Sequence, residues 1–239
     1  MSAAPKTAMV MAAGRGLRMR PLTERRPKAL IEVGGRALID HILDRLEAAG
    51  VTRVVVNVHA FADQMEDHLA RRRGPEILVS DERATLLETG GGLKKARAML
   101  GESPIWVANS DYVWIEGRDD ALAKVAAAWD PARMDACLIV VPKARTAGFD
   151  TPGDFFRDEA GRLTHRAEAA EAPLHCFGVE IIDPQRAYEV ADETFSLFRV
   201  WQAASERERL YGVVPDGYWM QVGDPAALAA AEARLKEAA

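Results

Sequence analysis

Cysteine is scarce, with only Cys137 and Cys176 in 239 residues. That excludes a disulfide-stapled scaffold. It also excludes a structural zinc site, since no histidines stand at ligand spacing beside them. Each cysteine sits in an apolar run, which predicts buried free thiols. The five histidines, His41, His59, His68, His165 and His175, form no metal-ligand pattern, and His59 reads as structural. Long apolar runs are missing too. None approaches the ~20 residues of a membrane span, and Met1–Thr7 lacks the apolar core of a secretion signal. A cytoplasmic protein without membrane contact is expected. Basic charge is in deficit: 31 Lys and Arg against 36 Asp and Glu leave a net charge of −5. Nonspecific nucleic-acid binding needs a basic face that such a chain lacks. No internal repeat and no flexible linker divide the sequence. At 49% hydrophobic, 239 residues are enough for a real core, read here as a single domain over 1–239.

What is present concentrates near the start. A short apolar run, Ala8 to Ala12, reads as a buried strand and ends in Gly14 and Gly16, with Arg15, Arg18 and Arg20 interleaved. Glycines remove the Cβ that keeps a bulky anion from the backbone. Successive N–H groups in such a bend make an anion-binding concavity, and arginine forks suit phosphate oxygens. Two familiar phosphate motifs do not fit. A P-loop needs Gly-Lys-Ser/Thr, but Leu17-Arg18 follows Gly16; a dinucleotide fingerprint needs a third glycine where Met19 stands. Pro27 stiffens the approach to Lys28, which places a cation beside the same loop.

The following segments alternate. Leu38, Ile39, Ile42, Leu43 and Leu46 recur at helical spacing, and Gly50 ends that helix. Arg53 to Val58 reads as a second strand, Ala62 to Arg72 as a helix and Glu76 to Val79 as a third strand. This β-α-β-α-β order predicts a parallel sheet covered by helices. Gly90-Gly91-Gly92 is expected to precede a helix over Leu93 to Leu100 and to let backbone approach a flat ligand. Pro104 to Asp111 predicts a fourth strand with a carboxylate at its end, a candidate Mg²⁺ ligand beside a triphosphate. A helix over Asp119 to Trp129 and a strand over Ala136 to Val141 follow.

From Lys143 glycine and proline interrupt the chain often, so residues 1–142 read as a nucleotide-binding half and 143–239 as a half for a second substrate. A short hairpin is expected about Asp158-Glu159-Ala160-Gly161, and a long strand over Leu174 to Ile182. Phe195, Leu197, Phe198, Val200, Trp201 and Ala204 form a helix-like apolar set, read as core in preference to interface; monomer and homodimer both stay open. Two strands, Leu210 to Val214 and Gly217 to Val222, precede a last helix capped by Asp224-Pro225.

The run Ala12-Ala13-Gly14-Arg15-Gly16-Leu17-Arg18-Met19-Arg20-Pro21-Leu22-Thr23, with Pro27-Lys28 after it, resembles the signature of the sugar-1-phosphate nucleotidylyltransferases. The strand-end Asp111 and the segment Trp219 to Gly223 fall in the order expected of that family, so the resemblance spans the chain. The compact length and Leu87-Glu88-Thr89-Gly90-Gly91-Gly92 are most similar to its N-acetylmuramate-1-phosphate uridylyltransferase branch, which serves cell-wall recycling; the mannose-1-phosphate guanylyltransferases are the rival branch.

The resemblance implies a Rossmann-like three-layer α/β/α fold with a mostly parallel mixed sheet. It implies Mg²⁺, UTP or GTP, and a sugar 1-phosphate giving a nucleotide-sugar and pyrophosphate. It assigns the β- and γ-phosphates to Arg15 with the Gly14 and Gly16 backbone, the α-phosphate to Lys28 and the metal to Asp111. Ala12, Ala13, Thr89 and Gly90 would face base and ribose. Asn109, Gly178 and Glu180 would lie near the sugar, and Glu88 at a base edge or a sugar hydroxyl. Three departures stand out. Ser110 replaces the glycine of the usual Asn-Gly-Asp. Gln221 occupies the place of a second metal-binding aspartate, which admits a third reading, a nucleotide-binding domain of weak catalysis. His165-Arg166-Ala167 replaces a sugar-side Glu-Lys-Pro, leaving the sugar open.

Overall fold

The computed structural model describes residues 4–238; Met1–Ala3 of the segment read above for a secretion signal lie outside it. Its main sheet is built in the order the alternation predicts. Strand β1 (Thr7–Met11) lies at the centre. Helix α1 (Leu38–Ala48) leads to β2 (Arg53–Val58), and α2 (Ala62–Leu69) leads to β3 (Glu76–Asp81). Strand β2 pairs parallel with β1 and β3 parallel with β2. The chain then passes through α3 (Glu88–Lys95) and crosses to the other side of β1, where β4 (Ile105–Asn109) pairs parallel with it. Ligands of open α/β sheets bind at the carboxyl ends of strands where the winding reverses. Here that point lies between Met11 and Asn109, which are register partners.

Beyond β4, the chain forms β5 (Tyr112–Glu116), α4 (Ala121–Ala128), β6 (Ala136–Pro142), the hairpin β7 (Phe155–Arg157) and β8 (Leu163–His165), and β9 (Leu174–Ile182). It ends with α5 (Phe198–Glu206), β10 (Leu210–Val213), β11 (Gly217–Gln221) and α6 (Pro225–Ala238). Strand β9 runs antiparallel between β4 and β6, and β10 pairs parallel with β6. The sheet is therefore parallel except for β9 and the β7–β8 hairpin, which docks on the start of β9. Asp120 caps α4 by accepting from Ala123 N, and Asp224 caps α6 by accepting from Ala227 N.

Three expectations need correction. The expected strand over Pro104 to Asp111 forms as β4, but the chain does not pass from it straight to a helix: an unanticipated strand, β5, begins at Tyr112 without a glycine or proline to mark the break. Strand β5 pairs with β11, and β11 with Thr146–Ala147, in a separate three-stranded sheet. Its core is aromatic: Trp114 and Trp219 stack at 5.8 Å, and Phe177 meets both edge-on. Next, the three glycines do not precede a helix but lie inside α3. Close packing is the reason. A Cβ on Gly90 would lie 2.3 Å from the Phe195 ring, one on Gly91 2.2 Å from the Glu193 carbonyl oxygen, and one on Gly92 2.6 Å from Glu82 Oε1. Finally, several helix ends shorten: α2 stops at Leu69, α4 spans Ala121–Ala128, and α5 begins only at Phe198, after Phe195 has been tied by backbone hydrogen bonds to Leu87, Gly90 and Gly91.

Gly91→Ala is expected to destabilise the protein by about 2 kcal/mol despite alanine's better helix propensity, since its methyl group meets backbone that has nowhere to move. Urea unfolding checks it; an unchanged midpoint would show that α3 can slide away from Glu193.

Candidate active site

The bend after β1 is shaped by its neighbours. Gly16 adopts φ 62°, and a Cβ there would stand 2.9 Å from both Lys28 Cβ and Thr23 Cγ2. The buried Thr23 hydroxyl donates to the Gly16 carbonyl at 2.8 Å and fixes the loop. No atom approaches within 4 Å of where a Gly14 Cβ would be. Among the described residues the backbone N–H groups of Gly14, Arg15 and Gly16 donate to no protein acceptor. Those of Ala12 and Ala13 do: both are received by Asn57 Oδ1, at 2.7 and 3.3 Å. Ala12 and Ala13 thus line the cavity over the bend with their N–H donors already spent.

Asn57 was missed in the sequence. Its signal is a lone amide in the β-branched run Val54–Val58. Its Nδ2 donates at 2.8 Å to Glu82, which is fully buried and also accepts from Leu87 N at 3.1 Å. This buried chain ties the loop after β1 to the entrance of α3, so the two sides of the site are positioned together.

A cavity of about 530 Å³ opens over the bend and is lined by Ala12 to Arg18, Lys28, Glu88, Thr89, Asn109, Asp111 and Gln221, among others. Lys28 begins a short helical turn after Pro27, and its Nζ lies 2.6 Å from Asp111 Oδ2, with the two side chains 15% and 20% exposed. Arg15 is exposed and forms no ion pair among the described residues, whereas Arg18 pairs with Asp150. The second sheet brings the metal candidates together. Gln221 is the register partner of Tyr112, and Val222 N donates to the Asp111 carbonyl at 2.8 Å. Among the described residues no three His, Cys, Asp or Glu side chains converge as a metal cage. One carboxylate and one amide suit an oxygen-loving cation that brings most of its ligands as phosphate and water. Ser110, in place of glycine, turns its hydroxyl back to the Met11 carbonyl at 2.9 Å and away from the cavity's polar work.

A second cavity of about 250 Å³ adjoins the first and shares Asn109 and Gln221 with it. Gly178 lines it at φ 67°, where the β9–β6 register shifts; a Cβ there would lie 2.4 Å from Asn109 Nδ2. Asp154, Thr151, His165, Cys176, Phe198 and Trp201 complete much of its wall. Burial pushes the Asp154 carboxyl up, but hydrogen bonds from His175, Cys176 N and Thr151 outweigh it and hold the group below its ordinary range. Desolvation lowers His165, against the pull of Asp154. Its Nδ1 accepts from Ala167 N at 3.0 Å, which leaves the proton of the neutral ring on Nε2.

Two predicted site residues fall elsewhere. Gly90 is buried against Phe195, its N–H donating to the Phe195 carbonyl at 2.9 Å, and does not line the cavity. Glu180 is 2% exposed beneath Trp201 and not in the sugar-side wall. It sits between Val107 and Leu138 in the sheet. Burial pushes its carboxyl up to about 8, against the Trp201 N–H bond that lowers it. Thr89 lines the cavity while its Oγ1 accepts from Leu197 N at 2.9 Å; Glu88 lines it from the strained start of α3, at φ 60°. Of the two thiols, Cys137 is buried as expected and Cys176 is half-buried in the second cavity.

Comparison with known proteins agrees with this geometry. Residues 8–214 match the MobA-like NTP transferase domain. The N-acetylmuramate alpha-1-phosphate uridylyltransferase of Caulobacter vibrioides is 52% identical, with the alignment covering 100% of both chains. The mannose-1-phosphate guanyltransferase of Candida albicans is 31% identical over 91% of this chain and 61% of its own. The inositol-1-phosphate CTP transferase of T. maritima superposes with a TM-score of 0.78 at 17% identity, covering 99% of this chain and 98% of that one, which speaks to the fold alone. With a signature loop, a strand-end aspartate and a full-length relative all in agreement, the chain belongs to the MobA-like NTP transferase family, among its sugar-1-phosphate nucleotidyltransferases.

Proposed function

We propose that the protein is a Mg²⁺-dependent uridylyltransferase that joins UTP to N-acetylmuramate 1-phosphate, releasing pyrophosphate and UDP-N-acetylmuramate, in the cytoplasm as part of cell-wall recycling. The observation that carries this reading is that the two cavities share Asn109 and Gln221 in their walls, with the Lys28–Asp111 pair lining the first. The sugar phosphate oxygen attacks the α-phosphorus, and pyrophosphate leaves on the opposite side. The attacking phosphate is already ionised near neutral pH, so no general base is needed. Alignment and charge neutralisation supply the catalysis. The unspent N–H groups of Gly14 to Gly16 and the Arg15 guanidinium receive the leaving pyrophosphate. Lys28 turns from Asp111 toward the α-phosphate. Asp111, with the Gln221 amide oxygen, holds Mg²⁺, which neutralises phosphate charge when bound.

The test is pyrophosphate release across a panel of UTP, GTP, CTP and dTTP against the 1-phosphates of N-acetylmuramate, mannose and glucose. UTP with N-acetylmuramate 1-phosphate should turn over fastest. Preference for GTP with mannose 1-phosphate would assign the rival guanylyl activity, and silence across the panel would remove the transferase reading. Gln221 favours one further reading, a domain that binds nucleotide with little turnover. Gln221→Asp distinguishes the two. In a working enzyme the added carboxylate should lower the Mg²⁺ concentration for half-maximal rate several-fold without creating activity. In a weak domain it should raise the rate itself from near zero.

A further inference from the structure

The second cavity is lined by two kinds of group. Asn109, Asp154 and Gln221 offer polar atoms, while Phe198 and Trp201, both on α5, offer aromatic surface. Trp201 meets Phe155 and Phe198 edge-on, with centroids 6.4 and 6.3 Å away. Its one polar atom is already committed, since Nε1–H donates to Glu180 Oε2 at 2.7 Å, and Glu180 lies outside the cavity wall. What Trp201 shows the cavity is therefore apolar ring. An aromatic wall together with a few fixed polar groups is the surface that a pyranose matches, with its C–H face against the ring and its hydroxyls toward carboxylate and amide.

Glu180 makes sense only in this light. It is 2% exposed, flanked in the sheet by Val107 and Leu138, and its side chain accepts one hydrogen bond among the described residues. An aliphatic side chain at that position would fold at lower cost. The single thing the carboxyl does there is fix the rotation of one indole. Local rules of burial are broken in this way where function asks for it.

We propose that Trp201 is the specificity-determining wall for the pyranose ring of the sugar 1-phosphate, and that Glu180 is a positioning residue which holds the indole plane in place. This rests on the reading of the protein as a sugar-1-phosphate nucleotidylyltransferase, whichever sugar it prefers. Binding at the bend after β1 does not involve either residue, so the two substrates should respond differently to their loss.

The experiment measures steady-state kinetics with each substrate varied, alongside tryptophan fluorescence during titration with N-acetylmuramate 1-phosphate. Trp201→Leu is expected to raise the KM for sugar phosphate tenfold or more, with the KM for UTP within twofold of wild type. Glu180→Leu should produce the same one-sided rise although Trp201 remains, and Glu180→Gln, which keeps an acceptor for the indole, should recover most of that loss. Wild type should show quenching on sugar phosphate binding, and Trp201→Phe should abolish it while keeping a ring in the wall. An unchanged sugar KM in Trp201→Leu, or equal rises for both substrates, overturns the proposal. So does a Glu180→Gln variant as impaired as Glu180→Leu. If wild type turns over no pair in the panel, the functional reading fails. Loss of the sugar-phosphate quench in Trp201→Phe would still support the wall, and its persistence would overturn it.

Discussion

Lys28→Ala is expected to lower kcat/KM for pyrophosphate release by about 10²–10³-fold while leaving the protein folded. A charged hydrogen bond is worth roughly 1.5–3 kcal/mol net, and each 1.4 kcal/mol is tenfold in rate. The loss exceeds one such bond because of what remains. Lys28 Nζ is 2.6 Å from Asp111 Oδ2, and both side chains are largely shielded from water. Without Lys28, the Asp111 carboxylate of the free enzyme loses its partner, and the α-phosphate loses the cation that neutralises it as the second anion enters. The deficit should fall mainly on kcat, since the bend at Gly14 to Gly16 still holds the polyphosphate end of the nucleotide. Arg15→Ala should cost less, because its exposed guanidinium is screened by solvent. Lys28→Arg should not restore the rate. The ammonium of Lys28 is a compact point charge 2.6 Å from Asp111 Oδ2, and a planar, delocalised fork does not reproduce it. Steady-state kinetics beside a thermal melt separates chemistry from folding. A Lys28→Ala enzyme within fivefold of wild type would place the phosphates elsewhere.

The sequence carried the first half of the fold because period and punctuation agree there. Helix α1 has five buried positions at the spacing read from the sequence, and strands β1, β2 and β9 fall where apolar runs do. The site was legible where one residue type has one use, as with Gly16 at positive φ, Lys28 after Pro27, and Asp111 at a strand end. It was not legible where two distant segments share a residue. Three glycines in a row read as a ligand-facing segment ahead of a helix, since nothing local reveals that Phe195 and Glu193 will lie across them. Asn57 and Glu82 are 25 positions apart and become partners only once β2 and β3 are paired. Glu180 shares a strand with Gly178, two residues away, yet the register shift at Gly178 and the packing of α5 put one at the cavity and the other under Trp201.

Glu180→Gln should stabilise the protein increasingly as pH rises from 5 to 8.5. Burial holds the Glu180 carboxyl up to about 8 from an ordinary value of 4.5, and the titratable groups beside it, the thiols of Cys137 and Cys176, are themselves pushed up by burial and offer it no positive charge. Between those two values the unfolded chain has released the proton that the folded protein retains. Stability is therefore complete below about pH 4.5, falls as pH rises, and stops falling above about pH 8, where the folded group ionises too. A gap of that width corresponds to a linked cost of the order of 5 kcal/mol at the alkaline end. Glutamine keeps the acceptor for the Trp201 N–H and has no proton to exchange, so its stability curve should be flat in this contribution. For a chain of this length 1 kcal/mol moves Tm by roughly 2–4 °C. The two melting curves should nearly coincide at pH 5 and stand about 10 °C or more apart at pH 8.5, with Glu180→Gln the higher. Curves that run parallel across the range would mean that water or a cation reaches the carboxyl, and Glu180 would then no longer be a buried anchor. A fold that keeps this carboxyl gives up stability at neutral pH in return for one indole held at a fixed angle.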